Sequence, residues 1–461
     1  MSQAARVYET DKRAAELCTQ MAQRGFGFDT KRAREISEVL HESELAAIAR
    51  ADDAVGRKLN RTKTGGLSTK DLQVAFFEDL RAPVFFRSEL TRKPSLGIDA
   101  MRGYAACADE RLRQLSLAIL EMRRARKMRV TYIENVIVDP DGRVHPSWQN
   151  YGAVSGRWSC ADPNLMNLPR PGTDPTSATH EGGIRSLYCA RPGYRLVAFD
   201  KKQLEMKIAA YASGDPEMIR ACESVDLHSA NATLLFGDGF SRLVPLEAKW
   251  KAAMKQAHDD EAAALQLLAG EAQLVNQGRI AFKQMRTAAK SSGFAVCYLA
   301  EAPTVFARIV ADGLPITLPA VEAMLRKLKR GFGVYYSWQE KRLLECIRQG
   351  WTDSPILGRR RWLGHEPAPT ECANFPIQGG AADVMNDLLP RLAPVIAREC
   401  PGSGLVAQVH DSAVFEVRER DVARARALCE EFNAESVAIG SSGAMLYPVL
   451  GIDLDDSQRW H

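Results

Sequence analysis

Apolar and polar positions follow a helical period through most of this chain. Residues 14–24 form an amphipathic pattern, and an Asp-Thr capping signal at 29–30 opens a second helical stretch that runs to 54. Further stretches of helix-forming residues predict helices at 109–129, 203–213, 216–236, 244–292, 302–350, 379–398 and 420–437.

Shorter apolar runs predict strands between these helices. The run at 194–200 is typical of a buried strand, and 404–417 of two strands joined by a tight turn at His410-Asp411. We also expect a strand pair around the Asp-Gly turn in the segment from 137 onward, and a closing strand at 447–452. Because helices and hairpins are interspersed, the pattern predicts an α+β fold and not a doubly wound parallel sheet.

Two aspartates end these apolar runs more than two hundred residues apart. Asp200 follows Leu-Val-Ala-Phe, and Asp411 follows Leu-Val-Ala-Gln-Val-His. Each could simply cap a strand or start a turn. Two such carboxylates side by side would repel each other unless a cation lay between them, and hard oxygen ligands suit Mg²⁺. A pair of such ions can activate an attacking oxygen and stabilise a leaving one.

Composition narrows the class of protein. The chain has 461 residues, 46% hydrophobic and 26% charged, with a net charge of +4, which predicts a soluble globular protein of two to four domains. Its mild basicity permits nucleic-acid binding without requiring it. The ten cysteines include no Cys-x-x-Cys pair, which argues against zinc or disulfide frameworks. No signal segment and no run of eighteen apolar residues occurs, so we expect a cytoplasmic protein.

One helical stripe combines cations with rings. In 286–298, four residues recur at four-residue spacing: Arg286, Lys290, Phe294 and Tyr298. On a helix they share one face. An aromatic stripe is more often part of a core, but two unpaired cations on the same face would be costly to bury. A polyanion with a stackable base resolves that conflict, so the stripe predicts a nucleotide-binding surface.

Several stretches together resemble the family A DNA polymerases, the bacterial DNA polymerase I class. Asp200-x-x-Gln203-x-Glu205 is similar to motif A, the Arg286 stripe to motif B, and 408–411 to motif C. Further stretches agree in order: 155–159 with 162–169, Asp226-Leu227-His228, 358–361, and Asn374 to Asp383. The resemblance implies a right-hand fold, with an N-terminal and thumb region (1–136), a palm with an antiparallel sheet (137–236 and 351–461) and helical fingers (237–350).

The resemblance also implies a catalytic centre. Asp200, Asp411 and the backbone carbonyl of Lys201 would hold two Mg²⁺ ions, with Mn²⁺ as a substitute, for in-line phosphoryl transfer. Arg286 and Lys290 would bind the triphosphate, and Lys290 would donate a proton to pyrophosphate.

The other implied roles concern the nucleotide and the DNA. Glu205 would exclude a ribose 2′-hydroxyl, while Gln203, Phe294 and Tyr298 would complete the deoxynucleotide site. The residues implied to contact the primer–template are Arg157, Asn374, Gln378, His410, Arg359 and Arg360.

The chain departs from the family pattern at identifiable places. Lys201-Lys202 replaces the usual Tyr-Ser after the motif A aspartate, and Ser412 stands where a Glu is usual. The two lysines either strengthen nucleotide binding or face away from it. The stretch between 237 and 286 is longer than usual, with a helical, charged segment near 245–280.

No exonuclease-like segment precedes the thumb-like helices, so we expect no 3′–5′ exonuclease activity. We expect a monomer that binds primer–template DNA and dNTPs but no membrane. Its expected protein partners are a separate exonuclease, a helicase or a processivity factor. The economy of the chain suggests, by analogy, a phage-encoded enzyme in a bacterial cytoplasm. The alternatives are a relative of the single-subunit RNA polymerases, which a His-Asp-Ser triplet resembles, and a non-catalytic protein that binds primer–template junctions.

Overall fold

The structure is a computed structural model, and it describes most of the chain. The described residues are 2–85, 87, 92–169, 176, 180–224, 226–258, 260–311, 316–364, 366–435, 437–438, 445–446 and 451–460. Within these ranges, the side chains of 291, 294–297, 311, 437–438 and 445–446 lie outside the description.

The N-terminal part of the chain is mostly helical, as predicted. Asp29 caps the second helix, because its carboxylate accepts a hydrogen bond from Arg32 N at 2.9 Å. That helix begins and ends within one residue of the prediction, whereas the first helix begins eleven residues earlier than expected. The elements of this part are α1 (Gln3–Arg24), β1 (Phe26–Phe28), α2 (Thr30–Val55), α3 (Thr69–Val74), α4 (Ile98–Ala105) and α5 (Glu110–Arg129).

Short strands and one long strand follow. They are β2 (Arg143–Val144), β3 (Ser147–Gln149), β4 (Ser159–Ala161), β5 (Tyr188–Cys189) and β6 (Tyr194–Lys201). The strand pair predicted around Asp141-Gly142 is wrong. The turn forms, with Gly142 N donating to Asp139 O at 2.9 Å, but β2 pairs with β1 and β3 pairs with β4. The reason is a distant partner: β1 lies between β2 and β5, at a register that local sequence does not encode.

Helices dominate the middle of the chain. The predicted helices at 216–236, 244–292 and 302–350 are each divided, and α8 begins at a new cap, Asp226. The helices are α6 (Leu204–Ser213), α7 (Pro216–Glu223), α8 (Leu227–Phe236), α9 (Asp238–Ser241), α10 (Val244–Gln256), α11 (Glu261–Leu268), α12 (Ala272–Cys297), α13 (Ala302–Ala311), α14 (Leu318–Gly331) and α15 (Gly333–Gln349).

The C-terminal part returns to the sheet. The strand–turn–strand prediction for 404–417 is confirmed, and the closing strand lies at 452–457, while 447–450 of its predicted span are outside the described residues. The elements are β7 (Trp351–Asp353), β8 (Arg360–Trp362), α16 (Pro369–Glu399), β9 (Gly404–Val409), β10 (Ser412–Arg418), α17 (Val422–Asn433), β11 (Val437–Ala438), β12 (Met445–Leu446) and β13 (Ile452–Ser457).

The main sheet confirms the α+β prediction. In the described residues it has the strand order β13-β6-β10-β9, and every neighbouring pair is antiparallel. The helices α16 and α17 pack against one face, and the buried side chain of Lys201 lines a cavity there together with residues of both helices. Alternate residues, including Leu196, Ala198 and Asp200, line a cavity on the opposite face.

Three larger buried clusters hold the chain together. One surrounds the main sheet and includes α1 and α16, a second joins the helices between α6 and α15, and a third joins α2, α4 and α5. The segment near 245–280 adds a small cluster of its own around Trp250 and Val275. Arg279 supports that cluster, because its guanidinium lies 3.9 Å from the centre of the Trp250 ring and pairs with Glu261.

Candidate active site

The main sheet brings Asp200 and Asp411 together at one end. Asp200 is paired with Ser412 of β10, and Asp411 lies in the turn that joins β9 to β10. The backbone N–H of Lys201 donates to the carbonyl oxygen of Asp411 at 3.0 Å. His410 has a φ of 57°, in the left-handed region that tight hairpin turns use. Two aspartates 211 positions apart in the chain are therefore neighbours in space.

Both aspartates line a cavity of about 300 Å³ on the face of the sheet opposite α16 and α17. Ser412 and Asp453 also line it, and Asp453 is the partner of Asp200 on β13. The hydroxyl of Ser412 donates back to Val409 O at 2.8 Å. Acidic groups therefore dominate this end of the cavity.

The donor set at this end fits Mg²⁺. In the described part of the chain, no three His, Cys, Asp or Glu side chains gather as a protein cage for a metal ion. Mg²⁺ does not need such a cage, because it keeps several waters and binds through one or two carboxylates plus substrate phosphates. Asp200 and Asp411 would supply those carboxylates, and the Lys201 carbonyl a further oxygen.

The two lysines after Asp200 take different directions. Lys201 is 3% exposed, and its side chain points to the face that α16 and α17 cover, away from Asp200. Burial, and then the charge of nearby Lys207, lowers the pKa of Lys201 to about 8. Lys202 stays exposed, and its ammonium binds Asp453 Oδ1 at 2.6 Å. Of the two lysines, only Lys202 lies on the side of Asp200 and Asp411.

Glu205 connects the sheet to the helical part of the protein. Its carboxylate accepts hydrogen bonds from Arg157 Nη2 and from the Tyr298 hydroxyl. Burial raises the pKa of Glu205, the charge of Arg157 opposes that rise, and the charge of Asp411 adds to it. Glu205 therefore lies within electrostatic reach of Asp411, next to the end of α12.

On α12, Arg286 makes a two-pronged ion pair with the residue that caps α8. Its Nε and Nη2 donate to Asp226 at 2.7 and 3.0 Å. Burial raises the pKa of Asp226, but the hydrogen bonds from Arg286 and Ser229 outweigh this effect and hold that pKa well below its usual range. The pair fixes the position of the Arg286 guanidinium before any ligand is bound.

His228 lies in the field of the same cations. Burial, and then the positive charges of Arg286 and Lys290, lowers the pKa of His228 to about 4. The imidazole is therefore neutral at pH 7, and it shares a positively charged region with the exposed side chain of Lys290. The side chain of Phe294, predicted to belong to this stripe, lies outside the described residues.

Three polar side chains named from the sequence lie at or near the ends of these elements. Asn374 and Gln378 are four residues apart on α16 and so share a face. Gln203 precedes α6 with a φ of 56°. The side-chain oxygens of Asn374 and Gln203 are buried, and neither has a hydrogen-bond partner among the residues that the structure describes. Such acceptors are suited to an external donor.

Arg359 is held in a different way from the DNA contact predicted for it. The residue is 3% exposed, and its guanidinium donates to Asp11 at 2.7 and 2.8 Å and to Asp383 at 2.8 Å. These bonds join α1 to α16 and leave no exposed donor for DNA. Arg360, by contrast, is exposed and lies 4.1 Å from the centre of the Trp351 ring.

We expect Arg359→Ala to lower the free energy of unfolding by about 3–5 kcal/mol, because it leaves the carboxylates of Asp11 and Asp383 without their buried partner. Urea denaturation followed by circular dichroism measures the change. Arg360→Ala, at the adjacent exposed position, is the control and should stay within about 0.5 kcal/mol of the original protein. Equal effects of the two substitutions would contradict the structural role of Arg359.

Two residues of this site had no role assigned from the sequence. Asp226 and His228 belong to a stretch that matches the family pattern, but their function depends on the packing of α8 against α12. The signal available in the sequence was only the capping aspartate before an apolar helix.

The sequence of this chain is similar to those of known DNA polymerases. The family model described as DNA polymerase family A matches residues 31–246 and 250–441. The thermostable DNA polymerase I of Thermus aquaticus is 28% identical over 436 residues, which cover 91% of this chain but 44% of that protein. The DNA polymerase I of Chloroflexus aurantiacus is 29% identical over 350 residues, or 71% of this chain and 31% of that protein. The chain thus spans less than half the length of these curated relatives.

A solved structure supports the fold. The POL domain of Pol1 from M. smegmatis, in complex with a DNA primer-template and dNTP, superposes with a TM-score of 0.72. The alignment covers 96% of this chain and 69% of that domain, at 23% sequence identity. In the described residues, no helix is both long enough and apolar enough to cross a membrane.

Proposed function

Because the chain belongs to DNA polymerase family A, we propose that it is a template-directed DNA polymerase that adds deoxynucleotides to a primer 3′ end. One observation carries the proposal: Asp200 and Asp411 lie side by side at the open end of the sheet, and Glu205 connects that end to Tyr298 beyond α12. The groups that are proposed to bind metal and nucleotide would thereby lie close together.

The buried clusters correspond to the parts of a right-hand polymerase. The cluster around the main sheet would be the palm (137–236 and 351–461), the cluster between α6 and α15 the fingers (237–350), and the cluster of α2, α4 and α5 the thumb (within 1–136). Since the second cluster also includes α6, α7 and α8, the core of the fingers would extend back into the range given to the palm. The first helix packs with the palm cluster, so the palm would include part of the N-terminal region.

Two Mg²⁺ ions held by Asp200, Asp411 and the Lys201 carbonyl would lower the pKa of the primer 3′-hydroxyl and neutralise charge on the leaving pyrophosphate. The protein's own contribution is to fix those oxygens. The β9–β10 turn positions Asp411, and the hydrogen bond from Lys201 N holds that turn against β6.

The cations of α12 would receive the triphosphate. Arg286 is already oriented by Asp226, and neutral His228 lies beside it and Lys290. Lys290, which is exposed, would bind phosphate oxygens and donate a proton to the departing pyrophosphate. Phe294 and Tyr298, and Gln203 on the palm side, would complete the nucleotide site.

The polar side chains around this centre would hold the primer–template. Arg157 and Gln378 would reach minor-groove acceptors, which all base pairs present and which therefore report pair shape. Asn374, His410 and Arg360 would contact the strands on either side.

Primer extension on a defined template tests the function, with deoxynucleotides and ribonucleotides offered in separate reactions. We expect extension with deoxynucleotides, dependent on Mg²⁺ or Mn²⁺. Extension with ribonucleotides alone would favour an RNA polymerase relative. Tight junction binding without extension would favour a non-catalytic binding protein.

Glu205→Ala should reduce discrimination against ribonucleotides by about 10- to 200-fold, because a pocket that excludes a group by shape contributes ~1–3 kcal/mol of selectivity. The ratio of kcat/KM for dNTP and rNTP measures the change. Glu217→Ala, which removes an exposed carboxylate from the neighbouring helix α7, is the control. If Glu205→Ala keeps the original ratio of kcat/KM for dNTP and rNTP, Glu205 does not select the sugar.

The lack of 3′–5′ exonuclease activity stays a prediction for the 461-residue polypeptide. A purified sample incubated with Mg²⁺ and a mismatched primer, without nucleotides, should leave the primer at full length. Shortening of that primer would contradict the prediction, provided that a mock preparation lacking this polypeptide leaves the primer at full length.

A further inference from the structure

A second cavity lies behind the strand that carries Asp200, on the face of the sheet that α16 and α17 cover. Its volume is about 200 Å³, and its charged lining residues are Lys201, Arg6, Arg391, Asp387 and Glu435. One water occupies ~30 Å³ in the liquid, so this Lys201 cavity has room for a small ligand.

Lys201 is a buried residue, and no residue that the structure describes pairs with its ammonium. The residue is 3% exposed and lines the cavity, and its ammonium makes no hydrogen bond or ion pair with any residue that the structure describes. The charges that act on it most strongly, those of Lys207 and Arg391, are also positive. Burying a charge without a partner is unfavourable, so the site calls for a negative ligand.

The carboxylates in the lining are already engaged. Arg391 binds Glu435 at 2.6 Å and Asp387 at 3.0 Å. Among the described residues of the lining, three cations stand against two carboxylates, an excess of one positive charge. The segment that follows Glu435, residues 436–450, contains no Asp or Glu that could supply the missing charge.

We propose that the Lys201 cavity binds one small oxyanion of the size and charge of inorganic phosphate, held by the Lys201 ammonium and the Arg6 guanidinium. Charge-assisted hydrogen bonds from these two groups would satisfy the oxygens of the oxyanion. The proposal goes beyond the polymerase function and does not depend on it.

The location gives such a ligand a route to the catalytic end. Lys201 follows Asp200 directly, and its N–H donates to Asp411 O at 3.0 Å. An anion that restrains the Lys201 side chain from the rear therefore restrains the residue that connects the two aspartates.

Isothermal titration of the full 461-residue chain with inorganic phosphate, without divalent metals or nucleotide, tests the proposal. All variants are made in an Arg286→Ala, Lys290→Ala background, which removes both of the α12 cations that are proposed to bind phosphate. We expect one phosphate per chain in that background, and at least about tenfold weaker binding when Lys201→Met is added. Lys202→Met, at the exposed neighbouring lysine, is the matched control and should leave the affinity within about twofold.

The same titration contains the outcomes that would overturn the proposal. If phosphate binds equally with and without Lys201→Met, Lys201 does not hold the phosphate. If the background protein without Lys201→Met binds no phosphate, the proposed site does not exist. If Lys201→Met fails to fold, Arg6→Gln at the exposed rim replaces it, with severalfold weaker binding expected and unchanged binding contradictory.

Competition experiments distinguish free phosphate from the phosphate groups of a nucleic acid as the ligand of the Lys201 cavity. Phosphate bound in the Lys201 cavity should persist when a short oligonucleotide is added, because α16 and α17 cover that face. Displacement by the oligonucleotide would make the cavity part of a DNA-binding surface and overturn the proposal. The measured quantity is phosphate binding. If phosphate does not bind, the proposed polymerase function still stands, and if primer extension is absent, the phosphate site still stands.

Discussion

Replacing Asp411 with asparagine lowers primer extension at least about a thousandfold, while primer–template DNA still binds. The amide keeps the shape of the side chain but removes the negative charge beside Asp200, and with it a ligand for the catalytic cation. Loss of several kcal/mol of transition-state stabilisation is expected, and each 1.36 kcal/mol is a factor of ten in rate. Single-turnover extension kinetics and fluorescence anisotropy of labelled DNA measure the two quantities separately.

Asp455→Asn is the matched control for this substitution. Asp455 is a carboxylate that lines the same cavity, but its strand partner is Ala198, two residues away from Asp200. Its extension rate should stay within about tenfold of the original protein. Near-normal extension by Asp411→Asn would place the metal site elsewhere, and equal losses in both variants would indicate a general effect of charge on the cavity.

Lys290→Ala lowers kcat by about 10²–10⁴, the range typical of a lost general acid. Its ammonium is exposed on α12 beside Arg286 and lowers the pKa of His228, and the proposed function places the leaving pyrophosphate next to it. Arg286→Ala should instead mainly raise KM for the nucleotide, because Arg286 cannot give up its proton at working pH. Steady-state kcat and KM for dNTP separate the two effects.

The substitution Lys290→Arg separates the effect of the positive charge at position 290 from the effect of proton donation. The guanidinium keeps the positive charge but stays protonated, so the variant should keep the nucleotide KM of the original protein and still have a lowered kcat. Lys283→Ala, which removes an exposed lysine two turns earlier on α12, controls for net charge. If Lys290→Ala changes KM alone, Lys290 binds the triphosphate without acting as an acid.

Several elements were predictable because their signals are local. The helix α2 follows from its cap at Asp29 and its apolar period, and the β9–β10 hairpin from two apolar runs around a tight turn. The Arg286 stripe required only four-residue spacing on one helix. In each case the interacting residues are close in sequence, so no knowledge of the tertiary fold is needed.

Other features depended on residues that are far apart. The pairing of β2 with β1 joins Arg143 to Gly27, and the added side chain of any other residue at Gly27 would lie 2.4 Å from Cys189 O. The burial of Arg359 required Asp11 from α1, 348 positions away. Charge patterns alone cannot reveal such partners, because a solvated arginine and a buried one have the same sequence signature.

The sequence by itself determined the candidate chemistry of this protein: two aspartates at strand ends, a cation and ring stripe, and the order of motifs that identifies the family. Only the tertiary structure decided which neighbours those residues have. In the folded chain, Asp200 lies against the β9–β10 turn and Arg286 forms an ion pair with Asp226. Glu205 accepts hydrogen bonds from Arg157 and Tyr298. The tertiary structure also turned Lys201 to the rear of the sheet. The physical reason is that ligand type is a property of one side chain, whereas distance, burial and electrostatic environment are set by packing between distant segments.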